Sequence, residues 1–68
     1  MREIAITGEL IRLGQLLKLA GVVDSGAEAK RLLSEQAVSV NGGVECRRGR
    51  QLLRGDVVAV GELELRVI

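Results

Sequence analysis

The chain has 68 residues, of which 47% are hydrophobic and 28% charged, and its formal net charge is +1. It contains no histidine, no aromatic residue and a single cysteine. This length predicts one domain, residues 1–68, and one cysteine excludes an internal disulfide. Without histidine the chain lacks the usual zinc ligand and the usual general base at neutral pH. We therefore expect no enzyme activity, no catalytic residue, no metal site and no cofactor.

The first third of the chain predicts a short strand and then an amphipathic helix. Residues 1–6 alternate in polarity, as a half-buried strand does. Residues 10–12 then lead into a helix, because apolar residues of the segment 13–20 recur at i, i+3, i+4 and i+7. Gln15 and Lys18 fall on the opposite, outward face, and a glycine follows where such a helix ends.

The segment 25–36 predicts a second helix. Ser25 and Glu28 have the spacing of a reciprocal capping box, in which each side chain accepts a backbone N–H of the other. Apolar residues follow with helical spacing. Lys30 and Arg31 lie beside and opposite that apolar stripe, so we expect both to point away from the core.

Two hairpins are predicted in the rest of the chain. Residues 38–40 alternate with period two and run into Asn41-Gly42-Gly43, which suits a tight turn because these residues tolerate positive φ. Residues 52–56 read as a turn, and 57–60 as a strand. A two-residue turn with glycine first then leads into an alternating last strand.

The densest positive charge lies in the segment 45–51, a basic turn or irregular strand that contains Arg47, Arg48 and Arg50. Between residues 12 and 54 there are eight basic and four acidic residues, a net charge of +4, whereas the two flanks together carry −3. Such asymmetry is typical of a surface for nucleic acid or another polyanion. The alternative is a solvated loop that keeps a sheet edge from pairing. We favour binding, because the helix face with Lys30 and Arg31 adjoins this segment in a compact fold.

Five short motifs occur in order over about residues 11–60. They are Arg12-Leu13-Gly14-Gln15-Leu16-Leu17-Lys18, Asp24-Ser25-Gly26-x-x-Ala29-Lys30, Val38-x-Val40-Asn41-Gly42, Arg47-Arg48-Gly49-Arg50 and Gly55-Asp56-Val57-Val58. This ordered set resembles the S4-like RNA-binding domain, in particular its stand-alone bacterial members of the YaaA/YbcJ type. The resemblance implies an α+β fold with an α-L RNA-binding motif, in which two short helices pack on a small, mostly antiparallel sheet.

The resemblance also implies a function and a site. Members of the family bind structured RNA, commonly ribosomal RNA or tRNA, and the expected role is non-catalytic, in ribosome assembly or translation. The contacting positions carried over to this sequence are Arg12, Gln15, Lys18, Ser25, Gly26, Lys30, Arg31, Arg47, Arg48 and Arg50. We expect a cytoplasmic monomer whose partners are RNA and the ribosome, with no membrane and no small-molecule substrate. Two departures are Gln36, where many relatives have glycine, and Arg54, where proline is common.

The composition restricts how such a protein binds RNA. Without aromatic side chains it has no platform on which splayed bases stack, so we expect it to read helical shape and phosphate positions. The backbone N–H groups at 25–27 add an anion contact at a helix start. A rival reading is an adaptor that docks on an acidic protein, with Leu19 and the connector Val22-Val23 as apolar anchors. A third is catalysis by Cys46, which we disfavour because alternation predicts that Cys46 is a core residue.

Overall fold

The computed structural model describes residues 1–68 and consists of two helices and seven short strands. Helix α1 spans Leu13–Leu19 and helix α2 spans Gly26–Ser34. The strands are β1 (Arg2–Ile4), β2 (Leu10–Arg12), β3 (Val38–Val40), β4 (Gly43–Val44), β5 (Gln51–Leu53), β6 (Val57–Val60) and β7 (Leu63–Val67). Neither helix combines the length and the apolar character that a membrane span needs.

Five of the strands form one sheet in the order β1-β7-β6-β3-β4, and all its pairs are antiparallel except β1 with β7. The predicted α+β fold with a mostly antiparallel sheet is therefore confirmed. A separate antiparallel pair joins β2 to β5. Sequence reasoning missed this pair: residues 10–12 were assigned to the approach of the helix, and 52–56 to a turn. Neither segment alternates between apolar and polar residues, since Leu10 and Ile11 are both apolar and so are Leu52 and Leu53.

The core lies between the two helices and the large sheet. Fourteen apolar residues form one buried cluster, to which α1 contributes Leu13, Leu16 and Leu17, and α2 contributes Ala29 and Leu33. The helical periodicity of both segments is thereby confirmed. In contrast, Val23 of the connector is buried in this cluster and is no surface anchor for a partner. Leu19 is exposed, as the rival adaptor reading requires.

The turns follow the predicted chemistry, with one costly exception. Asn41 and Gly42 have φ of 50° and 89°, the two positive values of a type I′ turn, and Val40 pairs with Gly43 across it. Gly61 has φ of 60° at the first position of the β6–β7 turn. Gln36 follows α2 with φ of 58°. A side chain is strained there, which is why glycine is the common residue at such a helix end.

The helix ends confirm one prediction and correct another. Gly21 has φ of 75° just after α1, as predicted for the residue that ends it. At the start of α2, Ser25 Oγ accepts the N–H of Glu28 at 3.2 Å. The carboxylate of Glu28, however, accepts the N–H of Asp24 at 2.7 Å and not that of Ser25. Both side chains therefore accept a backbone N–H at the helix start, but the hydrogen bond to Glu28 comes from Asp24, one residue before the Ser25 that the capping box predicts.

Candidate functional site

Three segments distant in sequence meet around one shallow depression of about 420 Å³: the start of α1, the start of α2 and the loop 45–50. Its lining residues are Arg12, Gly14, Gln15, Lys18, Gly26, Ala29, Arg48 and Gly49. All the charged residues among them are cations, and no carboxylate lines the depression. Five of the ten predicted site residues thus lie together in a place where positive charges reinforce one another.

The loop 45–50 is docked on the first turn of α1 by backbone hydrogen bonds. The N–H of Leu13 donates to the carbonyl of Arg50 at 2.8 Å, and the N–H of Gly14 donates to the carbonyl of Arg48 at 3.0 Å. These carbonyls occupy N–H groups that a helix start otherwise leaves without partners. The first turn of α1 therefore holds the loop, and the N–H groups of Leu13 and Gly14 are not open to a ligand.

Arg48 passes over Gly14 at the start of α1 and reaches Gly26 at the start of α2. A Cβ atom at Gly14 would lie 2.5 Å from Cγ of Arg48, so only glycine leaves room for the arginine stem. A Cβ at Gly26 would lie 3.6 Å from Nη1 of Arg48, so the guanidinium reaches the first turn of α2. Sequence reasoning did not find the role of Gly14, because the clash it avoids comes from a residue 34 positions away.

The start of α2 adds to the positive potential. The N–H of Glu28 is satisfied by Ser25, but the N–H groups of Gly26 and Ala27 donate to no acceptor. Such free N–H groups give a helix start partial positive charge. The guanidinium of Arg48 lies beside this helix start, and the two positive charges repel each other when no anion is bound. The depression is therefore suited to a phosphate group, which both can bind.

Glu45 anchors the loop from inside. Only 7% of this residue is exposed, and it is the one buried charged residue of the chain. Its carboxylate accepts hydrogen bonds from the N–H groups of Cys46 and Arg47, from Nε and Nη2 of Arg47, and from Nη1 of Arg50 at 2.8 Å. Hydrogen bonds from Arg47 and then Arg50 lower the pKa of Glu45 from 4.5 to about 2. A lone acid in a basic segment was the signal in the sequence, and it was overlooked.

Cys46 is exposed, so its prediction as a core residue was wrong. The register of the first hairpin explains the error. The two-residue turn pairs Ser39 with Val44 on the exposed side, and the N–H of Glu45 then donates to the carbonyl of Val38. Glu45 therefore takes the inward position next to buried Val38, and Cys46 faces outward.

The other predicted site residues have different surroundings. Arg47 and Arg50 line a second depression of about 560 Å³ with Gly49 and Gln51, and Gly49 is common to both depressions. The Oγ of Ser25 is occupied by its cap.

Gln15 is half committed, because its Oε1 accepts the N–H of Arg12 at 3.2 Å and only its NH₂ group is free. Lys30 is exposed one turn after Gly26. Arg31 lines a separate depression with Val22, Leu32 and other residues, and its Nε lies 3.8 Å from Glu35. The structure therefore does not bring Arg31 to the other cations.

Acid should destabilise the protein through two carboxylates with lowered pKa values. Besides Glu45, the pKa of Asp56 is lowered by the N–H of Leu53 and then by the side chain of Asn41. A carboxylate whose folded pKa is below its unfolded value stabilises the fold above the unfolded pKa and loses that effect as pH falls to the folded one. We expect the thermal midpoint to fall as pH decreases from 4.5 to about 2. Thermal melts followed by circular dichroism check this, and the midpoint of Glu45→Gln should depend less steeply on pH. An equally steep profile in that variant would contradict the assignment.

Comparison with known proteins gives consistent matches. The family model described as S4 domain matches residues 4–68. The chain is 54% identical over 57 residues to a Bacillus subtilis protein named "Probable ribosome maturation protein RlbA", covering 84% of this chain and 80% of that protein. It is 36% identical over 58 residues to YbcJ of Escherichia coli, covering 85% and 83% of the two chains. It is also 38% identical over 64 residues to a tyrosine–tRNA ligase of Xanthomonas axonopodis, but spans only 16% of that enzyme.

A solved structure has the same fold. The solution structure of YbcJ from Escherichia coli superposes with a TM-score of 0.75 at 32% identity, covering 100% of this chain and 87% of the other. That structure is described as revealing an αL motif involved in RNA binding. The predicted α-L arrangement, two short helices packed on a small, mostly antiparallel sheet, is thereby confirmed as the fold.

Proposed function

Because the chain belongs to the S4 domain family, we propose that it binds structured RNA and catalyses no reaction. The named roles of its relatives support this: ribosome maturation for RlbA, and RNA binding for the motif of YbcJ. For this chain the name of the relative with 54% identity, which refers to ribosome maturation, favours ribosomal RNA as the target, with tRNA as the second choice. The protein acts as a monomer in the cytoplasm, on the ribosome or on its precursors.

The observation that carries the proposal is the depression without acids between the two helix starts. Arg12 and Lys18, from the two ends of α1, and Arg48, from the loop 45–50, line one concavity with no carboxylate. Guanidinium groups fit phosphate oxygens with two hydrogen bonds each, and a neighbouring ammonium adds a compact charge. These cations can therefore bind two or three phosphates of a folded RNA backbone. Stacking of bases on aromatic rings is not available, since the chain has no aromatic side chain.

The outer members of the predicted site extend this surface. Lys30 continues it along α2, and Arg47 and Arg50 extend it into the second depression through Gly49. Ser25 caps the start of α2, Gly26 offers its free backbone N–H, and Gln15 offers its free NH₂ group to the RNA. Arg31 lies in the separate depression, so it contacts only an RNA that wraps around α2.

A salt titration tests the function. Binding of a structured ribosomal RNA fragment should weaken steeply with salt, because three phosphate contacts release about two to three counterions. The expected loss between 50 and 200 mM salt is about 15- to 40-fold, measured by fluorescence anisotropy. Lys18→Gln should reduce the slope by about one. Arg66→Gln removes the same charge from an exposed position in β7 outside the depression and should leave the slope nearly unchanged.

A flat salt dependence would contradict the proposal, and so would equal slopes for the two variants. If the chain instead binds an acidic protein, and that binding persists after the RNA is digested with nuclease, the adaptor reading would be favoured. Arg31→Gln decides the extent of the surface, because it changes affinity only when the RNA also reaches the other side of α2.

A further inference from the structure

We propose that Glu45 is a positioning residue for the RNA-binding surface. Its carboxylate fixes the loop 45–50, and the fixed loop holds Arg48 across the starts of α1 and α2. This inference rests on the proposed RNA binding. It assigns to Glu45, an acidic residue, the role of increasing the affinity for a polyanion.

An acid beside a phosphate-binding surface needs a reason, because its charge repels the ligand. Glu45 is the only buried member of the loop 45–50, while Cys46, Arg47 and Arg48 are exposed. Its carboxylate accepts five hydrogen bonds, and all five come from the loop itself. The negative charge is thus used within the loop, and the arrangement keeps it away from solvent.

Apart from its backbone hydrogen bonds to α1 and to Val38 of β3, the loop has few other means of holding its shape. It has no regular secondary structure, and its own backbone contributes one internal hydrogen bond, from the N–H of Arg50 to the carbonyl of Arg47 at 3.3 Å. No apolar side chain between 46 and 50 anchors it, since that segment consists of one exposed cysteine, three arginines and a glycine. Charge-assisted hydrogen bonds to one central carboxylate are the strongest contacts it has.

The clamp also separates the roles of the three arginines. Arg47 and Arg50 form ion pairs with Glu45 at 3.1 and 2.8 Å. Arg48 lies between them in sequence and has no acidic partner. With its two neighbours held, the chain places the stem of Arg48 over Gly14 and its guanidinium near Gly26. Arg48 is therefore the arginine of the loop that is presented to a phosphate.

The sign of one substitution distinguishes positioning from charge. Glu45→Gln keeps the shape of the side chain and removes a negative charge, so charge counting alone predicts tighter binding to RNA. The positioning role predicts about tenfold weaker binding, which corresponds to ~1.4 kcal/mol. Glu62→Gln is the matched control, because Glu62 is exposed in the β6–β7 turn and lines none of the depressions. It should bind as tightly as the wild type or slightly more tightly.

A second readout does not depend on RNA. Amide hydrogen exchange at Leu13 and Gly14 reports the docking of the loop, because these N–H groups donate to Arg50 and Arg48. The N–H of Val67, which donates to Asp56 in the large sheet, reports the rest of the fold. In Glu45→Gln we expect exchange at Leu13 and Gly14 to accelerate by a clearly larger factor than exchange at Val67. A role in overall stability alone would instead accelerate all three amides by the same factor.

Glu45→Asp keeps the charge but withdraws the carboxylate by one methylene, so it should also weaken binding and loosen the same two amides, to a smaller extent. Glu45→Gln binding as tightly as Glu62→Gln would overturn the inference, and so would unfolding of both Glu45 variants, since the residue would then support the whole fold. If the wild type itself binds no RNA, the proposed function fails. The exchange data still show whether Glu45 holds the loop.

Discussion

Gly14→Ala should weaken RNA binding about tenfold while leaving the thermal midpoint unchanged or slightly raised. The added Cβ would lie 2.5 Å from Cγ and 3.2 Å from Cδ of Arg48, so the arginine stem must leave its place. The carbonyl of Arg48 would be 3.5 Å away, an ordinary contact, so the docked backbone of the loop can remain. Alanine is a better helix former than glycine by up to about 1 kcal/mol, which offsets the lost packing.

Anisotropy titrations and melts of the same samples measure both quantities. Gly8→Ala is the control, because Gly8 is exposed and a Cβ there would meet only the carbonyl of Leu10 at 3.7 Å. It should change neither affinity nor midpoint by much. Unaltered RNA affinity in Gly14→Ala, with Arg48 displaced, would show that the placement of Arg48 over α1 does not contribute to binding.

What could be predicted from the sequence was whatever depends on near neighbours. The stripe with Leu16 and Leu17 predicts α1 because helical spacing repeats within one short segment. Asn41 and Gly42 predict the hairpin because a type I′ turn requires positive φ at two adjacent residues. The resemblance to the S4-like family then implied the α-L arrangement, and the family match over residues 4–68 confirms the resemblance.

What could not be predicted depends on contacts between distant segments. The β2–β5 pair unites residues about 40 positions apart through three pairs in register. The inward position of Glu45 depends on the hairpin register, and alternation alone placed Cys46 inside instead. For the same reason the basic cluster was treated as one surface. In the structure two of its arginines hold an acid, and Arg48 alone has no acidic partner.

Leu52→Ala should have the largest effect on stability, about 2–5 kcal/mol, which is the usual range for a buried leucine. Leu52 in β5 is 0% exposed and belongs to the core cluster, and its partner across the strand pair is Ile11 of β2. At about 0.05–0.15 kcal/mol per residue, a domain of 68 residues has a total stability of about 3–10 kcal/mol. The thermal midpoint should therefore fall by more than about 10 °C, as measured by circular dichroism.

Leu53→Ala is the matched control, since Leu53 is the next residue of the same strand and is 57% exposed. It should cost less than about 1 kcal/mol. The contrast also tests how the site is supported. The β2–β5 pair has no strand neighbour in the large sheet, so Leu52 is its buried link to the core on the β5 side. The strand pair connects directly to the site, because Arg12 is the last residue of β2 and Gln51, the first residue of β5, follows the loop 45–50. If Leu52→Ala detaches the strand pair from the core, RNA binding should weaken at temperatures well below the melting temperature. Equal losses for the two variants would mean that the pair is held by its strand hydrogen bonds and not by the core.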